Sequence, residues 1–89
     1  MLTEPAVHGP LDFSVLTDRE REVLRLLSSG ETNRRLARHL GIAERTVRAH
    51  TASIVRKLSL RSKFEAALVS HLHAEQLAAG PHFPARAAG

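Results

Sequence analysis

Residues 41–58, from Gly41 to Leu58, read G-I-A-E-R-T-V-R-A-H-T-A-S-I-V-R-K-L, and this stretch decides the fold. At helical period Val47, Thr51, Ile54 and Leu58 fall at i, i+4, i+7 and i+11 and form one apolar arc. The opposite arc carries Arg45, Arg48, Ala49, Ala52 and Arg56. A helix buried on one side, with small residues among arginines on the other, is shaped to enter a groove lined with phosphates. Small side chains permit close approach, and guanidinium forks reach base edges or phosphate oxygens. The alternative is an amphipathic surface helix whose basic face is only solvated. The flanking sequence decides between the two.

Immediately upstream, Thr32 can cap a helix over Asn33–Leu40 that buries Leu36, Ala37 and Leu40 and leaves Arg34, Arg35 and Arg38 off the stripe. Gly41 then turns the chain, Ile42 plugs the corner, and the next helix starts near Glu44. Two short helices joined by a tight turn containing glycine are the helix-turn-helix unit. No hairpin-like segment follows, so no wing is expected. Further upstream, Thr17-Asp18-Arg19-Glu20 opens a first helix with a capping box, acids suiting the positive end of its dipole. Val23, Leu24 and Leu27 form its core stripe, with Leu26 at the edge. Ser28-Ser29-Gly30 ends it, glycine taking the left-handed conformation after the last turn.

Downstream, Ser59-Leu60-Arg61 is a connector, and Ser62-Lys63-Phe64-Glu65 reads as a second capping box opening a fourth helix. That helix should run to about Leu77 or Ala78, with Gly80-Pro81 stopping it. Two orientations are open. Ala66, Ala67, Ser70 and Ala74 can face the core, leaving Leu68, Val69 and Leu72 for a partner helix; or one wide stripe faces the core. The expected organisation is a flexible leader or linker over 1–15, the stub of something longer, then a domain over 16–79 and a disordered tail over 80–89. The fold class is all-α, a compact four-helix domain containing a helix-turn-helix.

Composition agrees. Eighty-nine residues support one small domain. With three Phe and no Trp or Tyr, the core must come from Leu, Val, Ile and Ala. The absence of cysteine excludes disulfides and thiolate metal sites and fits a reducing compartment. No apolar run reaches membrane-spanning length, so a cytoplasmic location is expected. The net charge of +4 conceals a strong segregation: residues 33–63 hold nine arginines and lysines against Glu44 alone, whereas residues 1–32 carry a net −3. A basic middle third is the electrostatic footprint of a polyanion-binding surface.

An enzyme is not expected. His71 and His73 diverge on a helix, and His71 with Glu75 supplies two ligands where a metal site needs more. His50 lies at the edge of the buried stripe, in a packing or phosphate-contacting position rather than a general base's. No nucleophile–base arrangement occurs, and no cofactor is implied.

The run from Leu16 to about Leu72 closely resembles the helix-turn-helix domain of the LuxR/FixJ family of bacterial transcriptional regulators. The resemblance rests on L-T-x-R-E-x-E-V-L at Leu16–Leu24, Gly30, Thr32-Asn33, L-G-I at Leu40–Ile42, T-V-x-x-H at Thr46–His50, and R-K-L at Arg56–Leu58. It implies a response-regulator-type output domain binding double-stranded DNA. The third helix, about residues 44–58, would lie in the major groove, and the fourth would form a homodimer contact through Leu68, Val69 and Leu72. By resemblance Arg48, Ala49 and Ala52 meet bases, flanked by Arg45 and Ser53. Thr46, Arg56, Lys57 and Lys63 meet phosphates, together with Asn33. Glu20, Leu24 and Gly30 match positions characteristic of the fold. RNA polymerase is a further expected partner.

Three positions depart from the family pattern. Ala43 stands where Ser or Thr usually caps the recognition helix, a loss of ~1 kcal/mol unless Glu44 shifts the start. Ser59 stands where glycine is common, so this helix end needs strain or a different turn. Ala52 lacks the long polar side chain of many relatives. Two rivals remain: a sigma-factor region-four module, against which the closely spaced fourth helix argues, and a helical protein-interaction module with weakened DNA binding, against which Arg48, Arg56 and Lys57 argue.

Overall fold

The computed structural model of the protein describes residues 11–78; the expected tail over 80–89 and most of the leader lie outside the described residues. Among them every regular element is helical: a single 3-10 turn, Phe13–Val15, then α1 (Asp18–Leu27), α2 (Asn33–Leu40), α3 (Glu44–Lys57), α4 (Lys63–Leu72) and a short α5 (Ala74–Ala78). No strand occurs among these residues.

Local signals set the boundaries. Thr17 caps α1 reciprocally: its hydroxyl accepts the Glu20 N–H at 3.1 Å while Glu20 accepts the Thr17 N–H at 2.9 Å. Thr32 caps α2 through the Arg35 N–H at 3.1 Å. Gly41 ends α2 at φ 70°, and the Ile42 N–H reaches back to the Ala37 carbonyl at 3.0 Å. This is a Schellman turn, cheap for a residue without Cβ. At Ser62 only half of the expected capping box forms. Its hydroxyl accepts the Glu65 N–H at 3.2 Å, but the Glu65 carboxylate accepts from the Arg61 N–H at 2.8 Å. The carboxylate thus engages the amide one residue before the cap rather than the cap's own.

α3 lies at the centre of the domain, packed by α1, α2 and α4. Its inner arc of Val47, Thr51 and Ile54 is buried, with Leu58 just beyond. These residues join Leu24, Val23, Leu27 and Leu36 in one core. Thr51 is tolerated there because its hydroxyl donates to the Val47 carbonyl at 2.9 Å, one turn back.

The domain begins earlier than the pattern implied. Phe13 and Leu16 are buried and Leu11 packs against the core, while the Arg21 guanidinium donates to the Phe13 carbonyl at 3.0 Å. Residues 11–15, expected as leader, therefore belong to the folded unit. The fourth helix also departs from expectation. It breaks at His73 (φ −118°, ψ 30°), and α5 packs against α1 with Leu77 fully buried. The His73 ring meets Phe13 edge to face at 5.6 Å. Ala66, Val69 and Ser70 form the buried side of α4, and Ala74 is exposed.

Candidate nucleic-acid interface

The start of α3 is set by Ala43, which has extended backbone (φ −74°, ψ 153°) and makes no side-chain cap. The Thr46 and Val47 N–H groups bond the Ala43 carbonyl at 3.0 and 3.1 Å. Ala43 is therefore the N-cap position, and Glu44 does not displace it. The far end closes on Ser59, the one non-glycine residue with positive φ (57°) among the described residues. The Leu60 N–H reaches the Val55 carbonyl at 2.8 Å and the Ser59 N–H the Arg56 carbonyl at 3.2 Å. This is the same Schellman geometry that Gly41 gives α2, built here on a residue whose Cβ disfavours it.

Between these ends, Arg45, Arg48, Ala49, Ala52 and Arg56 are all exposed along the side opposite the buried arc. Arg48 forms a solvent-facing pair with Glu44 at 3.6 Å, which contributes little and releases readily. Asn33, from α2, and Lys63, from α4, meet across the gap between their helices, the Lys63 ammonium donating to the Asn33 side-chain carbonyl at 3.0 Å. The structure thus brings two expected phosphate contacts from distant parts of the chain to one rim beside α3. Thr46 is half-buried at the helix start.

Lys57 and Ser53 have partners that sequence spacing did not indicate. The Lys57 ammonium donates to Glu20 Oε1 at 2.8 Å, and the Ser53 hydroxyl donates to Glu20 Oε2 at 2.7 Å. Ser53 in turn accepts from Arg56 at 3.4 Å. Glu20, 5% exposed, therefore caps its own helix and also anchors the C-terminal half of α3. Burial disfavours its charge, but the bonds from Lys57, Ser53 and the Thr17 amide outweigh that cost and hold the carboxyl at about 2, against an ordinary 4.5. Lys57 remains exposed but reaches back to Glu20, whose buried carboxylate would otherwise be costly to leave unpaired.

On α4, Leu68 and Leu72 are exposed, as is Phe64 one turn before Leu68. Val69, expected beside them, is fully buried. It lies one helical step from Leu68 but three from Ala66, so it joins the Ala66–Ser70 side that packs on the core. It is not a surface contact. Among the described residues no helix is long and apolar enough to cross a membrane, and no group of three or more potential metal ligands occurs.

Comparison with known proteins agrees with this architecture. The family model of bacterial regulatory proteins of the luxR family matches residues 14–70. The chain is 42% identical over 60 residues to the nitrate/nitrite response regulator NarL of Escherichia coli, covering 67% of this chain and 28% of that protein. It is 44% identical over 57 residues to NarP of the same organism, covering 64% of this chain and 26% of NarP. With the Bacillus subtilis transcriptional regulatory protein LnrK the identity is 39% over 64 residues, covering 72% of this chain and 29% of LnrK. The chain therefore spans less than a third of the length of each of these relatives. With the Thr17 cap, the Gly41 turn and the arginine-faced α3 all inside the matched region, the chain belongs to the luxR family of bacterial regulatory proteins.

Proposed function

We propose that this domain binds double-stranded DNA sequence-specifically, with α3 in the major groove, as the output part of a bacterial transcription regulator acting in the cytoplasm. One observation carries the reading. The exposed side of α3 offers two alanines among arginines inside a segment of nine cations and one acid, while the opposite side is core. Close approach to base edges and attraction to phosphate are thereby combined on one surface. Arg48 and Arg45, near the helix start, are the base-reading side chains, with Ala49 and Ala52 giving close approach. Asn33, Thr46, Arg56 and Lys63 hold phosphates. Lys57 and Ser53 act from behind, through Glu20.

The exposed Phe64, Leu68 and Leu72 on α4 favour a second element of this reading, a homodimer formed through that helix. RNA polymerase is the further partner of such a dimer at a promoter.

Salt dependence tests the central statement. With Arg56 and Lys63 neutralising two phosphates per protomer, log affinity for duplex DNA should fall with log salt at a slope of about −2 per bound protomer. A flat dependence refutes the reading and favours a protein-interaction module.

A further inference from the structure

Beside α3 lies a groove bordered by four of the expected DNA contacts. Thr51, Ala52 and Val55 line it from α3, and Arg48, Asn33 and Lys63 stand around it. Its lining is mainly apolar: Val55 packs partly on the core, Ala52 is exposed, and the Thr51 hydroxyl is turned to the Val47 carbonyl. The rim is cationic and polar, with Lys63 and Asn33 bonded to each other across it. An apolar trough bordered by phosphate-seeking groups suits an apolar feature of a polyanion. In the major groove of DNA, the 5-methyl group of thymine is that feature, since the other base-edge groups there are hydrogen-bond donors and acceptors.

We infer that this groove is a thymine-methyl subsite, with Ala52 and Val55 as specificity-determining residues. The inference rests on the DNA-binding reading above and names a base within the recognised site. Arg48 and Ala52 are four residues apart, about 6 Å along the helix. The thymine therefore lies one to two base pairs from the base read by Arg48. Ala52 is essential to this arrangement, because a long polar side chain at that position would fill the trough.

The test begins with selection of preferred duplexes from random DNA by the full chain. Each thymine of the preferred site is then replaced singly by deoxyuridine, which removes only the methyl group, and affinity is read by fluorescence anisotropy. One thymine per half-site should show a loss of about three- to fivefold on replacement, the effect of one buried methyl. The same replacement should have no effect on the Ala52→Gln variant, whose exposed position keeps the fold intact. Insensitivity of every thymine, a preferred site without thymine, or undiminished thymine–uracil discrimination by Ala52→Gln overturns the subsite. If specific, salt-dependent binding persists through such a result, only the subsite fails. If no preferred duplex emerges and binding is salt-independent, the DNA-binding reading fails with it.

Discussion

Replacing Glu20 with glutamine keeps the shape of the side chain but removes its charge and turns one of its two accepting oxygens into a donor. In the folded protein the carboxyl is held at about 2 against an ordinary 4.5. At about 1.4 kcal/mol for each tenfold change in proton affinity, ionised Glu20 stabilises the fold by about 3 kcal/mol near neutrality. The sign follows from the depressed folded-state value. The stabilisation is complete above the unfolded value of about 4.5 and is lost as pH falls through about 2. Between those limits it declines steadily, to about 1 kcal/mol at pH 3. Urea unfolding of the wild-type chain and Glu20→Gln should therefore show a stability gap of about 3 kcal/mol at pH 7, narrowing to about 1 kcal/mol at pH 3. Taking the difference between the two chains cancels the titration of the other carboxylates. A gap of the same size at both pH values would mean that the charge contributes nothing and that the loss comes from the acceptor oxygen that glutamine lacks.

Two further substitutions act on the ends of α3. Ala43→Ser supplies a hydroxyl to the uncapped first turn and should raise the unfolding free energy by about 0.5–1 kcal/mol in urea melts; an unchanged midpoint would show that the free amides are already satisfied by water. Ser59→Gly removes the Cβ penalty at φ 57° while keeping the Schellman bonds. It should add about 0.5–1 kcal/mol by the same assay, net of glycine's extra backbone entropy, and a lower midpoint would show that the serine hydroxyl contributes more than the strain removes.

What the sequence made legible is what depends on near neighbours. The Val47–Thr51–Ile54–Leu58 spacing predicts the buried side of α3, and the burial follows it. Thr17 with Glu20, Thr32, and Gly41 are signals completed within six residues, and each forms as expected. Ala43 and Ser59 were visible as exceptions to local rules, and the structure retains both costs, one as a missing cap and one as a left-handed residue. Pairings across 30 or more residues were not legible. Glu20 reaches Ser53 and Lys57 only because α1 packs on α3, and no spacing in one dimension encodes that. Val69 was misplaced because α4 is small or apolar on most of its circumference, so its periodicity lacks the polar contrast that would orient it. The break at His73 carries no glycine or proline to announce it. The rim made by Asn33 and Lys63, and the trough containing Val55, arise from three helices meeting and have no linear signature.

The Glu20 anchor divides α3 lengthwise into a part that is exchangeable and a part that is not. Arg45, Arg48, Ala49 and Ala52 project from the exposed side and can be altered with little effect on the scaffold. Ser53 and Lys57 lie within the same fourteen-residue helix but are tied to Glu20 on another element. On the reading proposed above, a new site preference would be transplanted by grafting these four positions, whereas exchanging the whole helix would also remove the fastening that ties it to α1. Reprogramming this protein is a matter of repainting one face of a rod while leaving its mounting intact.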